Sequence, residues 1–183
     1  LEGFSMTMSP VRIGVLGAGY FGTLHALTIN NLSEAQLCAI VDFSHDALYQ
    51  LPNSLQDIPC FSDLAAALNN TEVEAWIIAS STASHVRLAQ QLLQTDVFVL
   101  LEKPIAPSLV EAESLQALDA SKLGKLMLGH ILLFNSEFRE LQYQCQQRGG
   151  FDYASCYRMR PTSHAAHYSD VNPFFLTMVH DLY

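Results

Sequence analysis

A glycine-rich hexapeptide constrains this chain more than any other stretch. Gly17-Ala18-Gly19-Tyr20-Phe21-Gly22 has the spacing G-x-G-x-x-G and follows an apolar run, Val11–Leu16. A helical pattern covers about residues 20–31, and a second apolar run, Leu37–Val41, ends on Asp42. A dinucleotide-binding βαβ unit requires this order of strand, glycine turn, helix, strand and acid.

Each glycine of the turn has a physical role in such a unit. Gly17 permits the tight turn, Gly19 lets a pyrophosphate approach the backbone, and Gly22 lets the helix pack closely on the strand. We expect residues 17–22 to bind the pyrophosphate, because free N–H groups and the helix dipole attract anions there. The alternative is a Rossmann-like scaffold with an empty or different nucleotide site, since glycines also serve ordinary turns.

Asp42 indicates the kind of dinucleotide. It lies 20 residues after Gly22, where an acid accepts hydrogen bonds from the ribose hydroxyls. A carboxylate at this position repels a 2′-phosphate, and no Lys or Arg lies between Arg12 and Arg87 to offset that repulsion. The sequence therefore favours NAD over NADP.

Composition narrows the class of protein. Half of the 183 residues are hydrophobic and 15% are charged, which suits a packed core. A net charge of −9 without a Lys/Arg cluster argues against a nucleic-acid partner. No apolar run is long enough to span a membrane, and no signal peptide is evident. The four cysteines form no C-x-x-C pair, so we expect a cytoplasmic protein without a metal.

Helix and strand patterns alternate up to about residue 130, which predicts an α/β fold with a doubly wound parallel sheet, a Rossmann domain over residues 8–130. After the first βαβ unit we predict a helix capped by Ser44, strands and helices in alternation, and a helix ending at Gly149-Gly150. The predicted strands cover residues 59–61, 75–79, 97–101 and 126–130, and the helices cover 63–68, 86–93, 108–124 and a stripe of Phe134, Phe138, Leu141 and Cys145.

The pattern changes in residues 131–183, which we interpret as the start of a second domain. Residues 153–160 alternate only partly, as the first strand of another sheet would. Residues 161–172 are polar and irregular, and residues 173–183 predict a helix. These elements cannot bury their own apolar faces. Either the chain is a fragment or a partner subunit completes this domain.

Several polar segments fall where predicted strands end, which is where doubly wound folds bind ligands. They are the glycine turn, Asp42, Ser80-Ser81-Thr82, Glu102-Lys103-Pro104 and His130. Lys103 is suited to donate to a substrate oxygen, and the alternative is a surface lysine.

Two histidines are further candidates. His180 is suited to proton transfer, and the alternative is an exposed or core histidine. His85 opens a helix, where it could cap the helix or contact a cofactor. His164 and His167 lie in a polar loop without a nearby acid pair or cysteine, so we predict no metal there.

Five segments together resemble the Gfo/Idh/MocA family of NAD(P)-dependent oxidoreductases. They are GVLGAGYFGTLHA, IIASSTASH, LLEKPIAPS, LMLGHILLFN and MVHDL. The GHILLFN and VHDL segments look closest to the branch that acts on nucleotide-linked sugars, including UDP-N-acetylhexosamine dehydrogenases. The resemblance implies hydride transfer between a sugar or polyol carbon and the nicotinamide. It also implies a C-terminal domain with a mostly antiparallel sheet, which often forms the interface of a homo-oligomer.

The resemblance assigns roles position by position. The pyrophosphate would lie on the three glycines, the ribose on Asp42, and the nicotinamide beside Glu102 and Lys103. Lys103 would be the catalytic lysine and His180 an acid/base candidate. The residues lining the cofactor cleft would be Ser80, Thr82 and His85.

One departure from the family pattern bears on activity. Members often carry an aspartate four residues before the catalytic histidine, and this chain has Leu176 there. Leucine cannot orient an imidazole. The alternative function is therefore a catalytically degenerate NAD-binding paralogue, acting as a sensor or a partner subunit.

Overall fold

The computed structural model describes residues 9–155, 157 and 159. The chain divides into two compact units, Leu1–Leu128 and Gly129–Tyr183. Within the described residues, no helix is long and apolar enough to cross a membrane.

The first unit is built on a six-stranded sheet in which every strand pair is parallel. The order is β3-β2-β1-β4-β5-β6, which is the order of a doubly wound dinucleotide-binding sheet. The predicted Rossmann sheet is thereby confirmed. The strands are β1 Val11–Leu16, β2 Ala35–Val41, β3 Cys60–Phe61, β4 Ala75–Ile78, β5 Phe98–Leu101 and β6 Leu126–Leu128.

Helices connect these strands, because parallel neighbours require a crossover connection rather than a hairpin. The glycine turn leads directly into the first helix, which has eleven residues. The helices of this unit are α1 Tyr20–Asn30, α2 His45–Tyr49, α3 Leu64–Asn70, α4 Thr82–Leu92, α5 Leu109–Glu113 and α6 Ala120–Leu123.

Alternate residues of the central strands form two hydrophobic cores, one on each face of the sheet. Val15, Ile40 and Ile77 pack with α1 on one face. Their neighbours in sequence pack with α3 and α4 on the other, and include Leu16 and Trp76. Strands covered on both faces are expected to be apolar throughout, which explains their continuous apolar runs.

Polar caps fix the start of three helices. The Ser44 side chain accepts from the Ala47 N–H at 3.3 Å, as predicted. Asp63 accepts from the Ala66 N–H at 2.8 Å, so α3 begins at Leu64. Ser108 accepts from the Glu111 N–H at 3.3 Å, so α5 begins at Leu109.

The prediction of one helix over residues 108–124 was wrong. The chain forms α5, a 3₁₀ turn at Ser114–Ala117, and α6. Gln90 of α4 donates to the carbonyl oxygen of Ser114 at 3.3 Å, and the Ser114 hydroxyl donates to the Glu111 carbonyl at 2.6 Å. The backbone leaves the helical conformation at Leu118 and Asp119, where ψ is 147° and 148°. The sixth strand also ends at Leu128 rather than at the predicted residue 130.

The second unit begins with a 3₁₀ turn, Ile131–Phe134, and helix α7, Ser136–Gln147. The Asn135 side chain accepts from two backbone N–H groups of the first turn, which sets the start of α7. Phe134 therefore precedes the helix rather than lying on its stripe. Of the predicted strand 153–160, the structure describes 153–155, 157 and 159, and none of these is in a strand. The predictions for residues 161–183 lie outside the described residues.

Candidate functional site

Backbone hydrogen bonds place four predicted segments along one edge of the sheet. Strands β2, β1, β4 and β5 are consecutive neighbours. The Gly17 N–H donates to the carbonyl oxygen of Val41 at 2.7 Å, and the Glu102 N–H donates to the carbonyl oxygen of Ile78 at 2.9 Å. The glycine turn, Asp42, residues 80–82 and residues 102–104 therefore follow the carboxyl ends of adjacent strands, where ligands bind in such folds.

Two of the glycines are required by the fold itself. Gly17 has φ +103°, and a Cβ there would lie 2.6 Å from the carbonyl oxygen of Ala79. A Cβ at Gly22 would lie 1.8 Å from the carbonyl oxygen of Gly17. Only glycine fits either position, because real Cβ atoms do not approach backbone atoms so closely.

Gly19 differs from the other two glycines of the turn because no atom beyond its own chain neighbours lies within 4 Å of a Cβ added there. It is exposed and forms the N-cap of α1, whose first N–H groups have no partner within the helix. The absence of a side chain is therefore not required by packing. An open space beside a helix N-terminus fits a pyrophosphate.

Tyr20 and Phe21 occupy the two variable positions of the turn. Their side chains are 80% and 45% exposed, and the rings meet edge to face with centroids 5.3 Å apart. Ala18 between the glycines is buried. The turn thus combines a buried backbone with two aromatic side chains at its surface.

Both carboxylate oxygens of Asp42 accept hydrogen bonds from backbone N–H groups, and one of these groups belongs to the glycine turn. One carboxylate oxygen accepts from the Ala18 N–H at 2.8 Å, and the other accepts from the Ser44 N–H at 2.9 Å. Each oxygen keeps a further lone pair, because a carboxylate accepts about four hydrogen bonds. The acid can therefore fix the turn and still accept from a ribose hydroxyl.

The Ser80-Ser81-Thr82 segment leads from β4 into α4. The hydroxyl groups of Ser80 and Ser84 are 2.7 Å apart, and the Ser84 hydroxyl donates to the Ser81 carbonyl at 2.7 Å. These bonds hold the segment at the edge of the sheet beside the glycine turn.

His85, one turn into α4, is only 1% exposed. Its Nδ1 lies 2.8 Å from the carbonyl oxygen of Pro104, and its Nε2 lies 3.1 Å from the carbonyl oxygen of Ser80. Because both ring nitrogens face backbone carbonyls, the geometry favours a positioning role over the direct cofactor contact assigned by resemblance.

Glu102 is the most buried acid described, with a side chain 11% exposed. Its Oε1 lies 2.8 Å from Nε2 of His25, and its Oε2 accepts from the Lys103 N–H at 3.1 Å. Burial raises the pKa of Glu102. The hydrogen bonds from the His25 ring and the Lys103 backbone N–H, together with the positive charges of these two residues, lower the pKa by more than burial raises it. The net pKa lies below the usual value, which favours a carboxylate.

Lys103 follows Glu102 directly and is half-buried. The peptide bond between Lys103 and Pro104 is cis. The residue thus lies between a carboxylate bound by His25 and a carbonyl bound by His85.

His25 was missed in the sequence. It lies in α1, three residues after Gly22, and its partner is 77 residues away along the chain. Helical periodicity predicts which face of α1 is buried but not which distant side chain meets that face. No local signal could have identified the pair.

The remaining candidates lie in the second unit or outside the described residues. His130 lies in the second unit. His180, Leu176, His164 and His167 lie outside the described residues. Among the residues that are described, no group of three His, Cys, Asp or Glu side chains could hold a metal.

Residues 11–130 match the model of the oxidoreductase family with the NAD-binding Rossmann fold. Inositol 2-dehydrogenase 2 of Paenarthrobacter aurescens is 32% identical over 149 residues, 76% of this chain and 43% of that protein. UDP-N-acetylglucosamine 3-dehydrogenase of Acidithiobacillus ferrooxidans is 27% identical over 178 residues, 96% of this chain and 53% of that protein.

Solved structures show the same fold. Apo scyllo-inositol dehydrogenase from Lactobacillus casei has a TM-score of 0.71 and 25% identity, over 78% of this chain and 43% of that one. The form with bound NAD(H) and scyllo-inositol has a TM-score of 0.79 and 22% identity, over 94% and 54%. The chain thus spans about half the length of the relatives that it matches.

The predicted family and cofactor class are confirmed by the match over residues 11–130. The relatives are mostly inositol dehydrogenases, so the finer likeness to the sugar-nucleotide branch is not specifically supported. With the glycine turn, Asp42 and the Glu102-Lys103-Pro104 segment at one edge of its sheet, this chain belongs to the Gfo/Idh/MocA oxidoreductase family, which has the NAD-binding Rossmann fold.

Proposed function

We propose that this protein is an NAD-dependent oxidoreductase that transfers a hydride between a hydroxyl-bearing carbon of a sugar or polyol and the nicotinamide. The observation that carries the proposal is the open space at Gly19, beside a fixed Asp42 and on the same sheet edge as Lys103. Membership of an oxidoreductase family with the NAD-binding Rossmann fold supports NAD as the ligand of this edge.

The cofactor would lie along the edge from β2 to β5. The pyrophosphate would rest on the N–H groups at the start of α1, and the adenosine ribose would donate to Asp42. The nicotinamide would then reach Glu102 and Lys103. Asp42 supports NAD over NADP, since its carboxylate repels a 2′-phosphate.

The bound nicotinamide supplies a hydride acceptor or donor. When a carbinol is oxidised, its carbon would give a hydride to the nicotinamide, its oxygen would lose a proton, and Lys103 would accept that proton. His180 is the second acid/base candidate in this proposal. In the reverse direction the same groups return the proton to the carbonyl oxygen.

Polyols are the first substrate class to test, since myo-inositol 2-dehydrogenase of Thermotoga maritima is 28% identical over 134 residues. Sugar nucleotides are the second candidate. The observation that favours them is the alignment with UDP-N-acetylglucosamine 3-dehydrogenase, which covers 96% of this chain.

The organisation of the rest of the protein also remains a proposal. We propose that the NAD-binding domain covers residues 8–130, and that residues 131–183 begin a substrate domain with a mostly antiparallel sheet. That sheet would form the interface of a homo-oligomer. A cytoplasmic location stays a prediction.

A non-catalytic role is the competing function. A paralogue that binds NAD without turnover would serve as a sensor or a partner subunit, and Leu176 at the usual aspartate position favours it. It shares the cofactor site with the enzyme, so only turnover distinguishes the two.

The test uses the purified protein with NAD, myo-inositol, scyllo-inositol or UDP-N-acetylglucosamine, and follows NADH absorbance. We expect turnover with one of these substrates, and a fall in kcat of about a hundredfold or more in Lys103→Ala with NADH binding kept. Undiminished turnover in Lys103→Ala would remove Lys103 from the mechanism. NADH binding without turnover on any substrate would favour the non-catalytic paralogue.

A further inference from the structure

We infer that His25 and His85 are positioning residues that fix the lysine loop, residues 102–104, from two sides. The inference rests on the proposed function, in which Lys103 acts on the substrate. Neither histidine is assigned this role by the sequence pattern, and they come from different helices, α1 and α4.

The first contact fixes the residue before Lys103. Nε2 of His25 lies 2.8 Å from a Glu102 carboxylate that is 11% exposed. A buried carboxylate needs hydrogen-bond donors, because removal from water is costly for a charge. His25 supplies one donor and the Lys103 backbone N–H supplies another, at 3.1 Å. The Glu102 side chain therefore ties α1 to the backbone of Lys103 itself.

The second contact fixes the residue after Lys103. Nδ1 of the buried His85 lies 2.8 Å from the carbonyl oxygen of Pro104, and Nε2 lies 3.1 Å from that of Ser80. Carbonyl oxygens only accept, and a neutral imidazole carries a single N–H, so the ring donates to one of the two carbonyls. The shorter contact assigns that donor to Nδ1 and the acceptor to Pro104. The His85 ring thus lies against the loop after β4 and donates to the loop after β5.

The two contacts together link the lysine to the cofactor-binding loops. Helix α1 begins at the glycine turn, and α4 begins at residues 80–82. Both helices start at the edge where the cofactor would lie. Each helix contributes one histidine that contacts a residue adjacent to Lys103, either Glu102 or Pro104. Positioning to about 0.5 Å matters for a group that transfers a proton.

The experiment replaces His25 by Leu, which removes the donor, and by Gln, whose amide can still donate to Glu102. His45→Leu is the matched control, because His45 is an exposed histidine of α2. His85→Leu tests the second contact. For each variant we would measure the melting temperature, the Kd of NADH, kcat and KM, and the rate at which an amine-reactive reagent modifies each lysine without cofactor.

The lysine modification does not depend on turnover. The chain has three lysines, so Lys122 and Lys125 serve as internal references in the mass spectrum. We expect His25→Leu and His85→Leu to change the modification rate of Lys103 by about threefold or more, since amine reactivity depends on nearby charge and exposure. The rates of the two reference lysines should stay the same. We also expect kcat to fall about tenfold with little change in the Kd of NADH.

His25→Gln should restore most of kcat and the normal modification rate of Lys103. Equal behaviour of the Gln and Leu variants, or an unchanged Lys103 rate in folded His25→Leu and His85→Leu, would overturn the inference. If the Leu variants do not fold, Glu102→Gln decides by the same lysine measurement, because it keeps the shape of the side chain. If Lys103→Ala keeps full turnover, the catalytic role of Lys103 fails instead, and the modification rates still decide whether the histidines fix this loop.

Discussion

The two ends of the candidate site are held in different ways. The glycine turn after β1 depends on backbone shape, since a Cβ at Gly22 would lie 1.8 Å from the Gly17 carbonyl oxygen. The loop after β5 depends on side-chain hydrogen bonds, from His25 to Glu102 and from His85 to Pro104. An added side chain should therefore destabilise the glycine turn. Removal of a hydrogen-bond donor or of a charge should instead loosen the loop after β5.

The difference also separates folding from binding. Steric exclusion inside a packed turn costs stability whatever the ligand. Polar contacts at the second end hold one loop and leave the two hydrophobic cores on the sheet intact. Four substitutions test this contrast.

The largest effect should come from Gly22→Ala. The added methyl group collides with the backbone of the turn, so we expect the free energy of unfolding to fall by about 3 kcal/mol. Urea unfolding followed by the fluorescence of Trp76, the single tryptophan, would measure it.

Gly124→Ala is the control for that measurement. Gly124 ends α6, and its added Cβ would make only ordinary contact, 3.4 Å from the Ala120 carbonyl oxygen. Equal unfolding midpoints for the two alanine variants would contradict the steric account of the turn.

Gly19→Ala should act on binding alone. No atom beyond its own chain neighbours lies within 4 Å of the added Cβ, so the free energy of unfolding should change by less than about 0.5 kcal/mol. The methyl group would occupy the space of the pyrophosphate, and NADH affinity should fall about tenfold, or about 1.4 kcal/mol. An NADH titration with parallel urea unfolding measures both, and unchanged affinity would remove the pyrophosphate from this position.

Asp42→Asn sharpens the assignment of the ribose site. The substitution removes the charge, and its amide group cannot accept from both the Ala18 and Ser44 N–H groups as the carboxylate does. We expect weaker NADH binding and a smaller preference for NADH over NADPH. Titrations with both cofactors would show this, and an unaltered preference would place the discrimination elsewhere.

The smallest effect concerns pH and Glu102. Its pKa in the folded state is lowered from 4.5, so the carboxylate stabilises the fold above that pH, and this contribution is lost as the pH falls through the folded pKa. Glu102→Gln cannot titrate. The difference in melting temperature between wild type and Glu102→Gln should therefore change below about pH 4.5 and stay constant above it. Parallel curves from pH 6 to pH 3 would contradict the assigned pKa direction.

The sequence predicted the features that depend on local residues and missed those that depend on distant contacts. The sheet and the glycine turn were predictable, because strand periodicity and steric requirements are local. Asp42 was predictable from its spacing, although its bonds to Ala18 and Ser44 were not. The break in the helix predicted over residues 108–124 was missed, because it lies at Leu118 and Asp119, where no glycine or proline marks it in the sequence.

The lysine loop is the clearest case of contacts that the local sequence could not predict. Its sequence was recognised by resemblance, but the contacts that hold it come from residues 77 and 19 positions away along the chain. Nothing in the local pattern around His25 distinguishes it from any other histidine on a helix. Tertiary packing alone brings it to Glu102.

The most direct test of the central claim is a titration of the purified protein with NADH, following the fluorescence of the bound nicotinamide, with NADPH in parallel. We predict saturable NADH binding and at least about tenfold weaker NADPH binding, because the Asp42 carboxylate meets the 2′-phosphate. Equal binding of the two cofactors would contradict the role of Asp42. Binding of neither would contradict the assignment of this sheet edge as an NAD site.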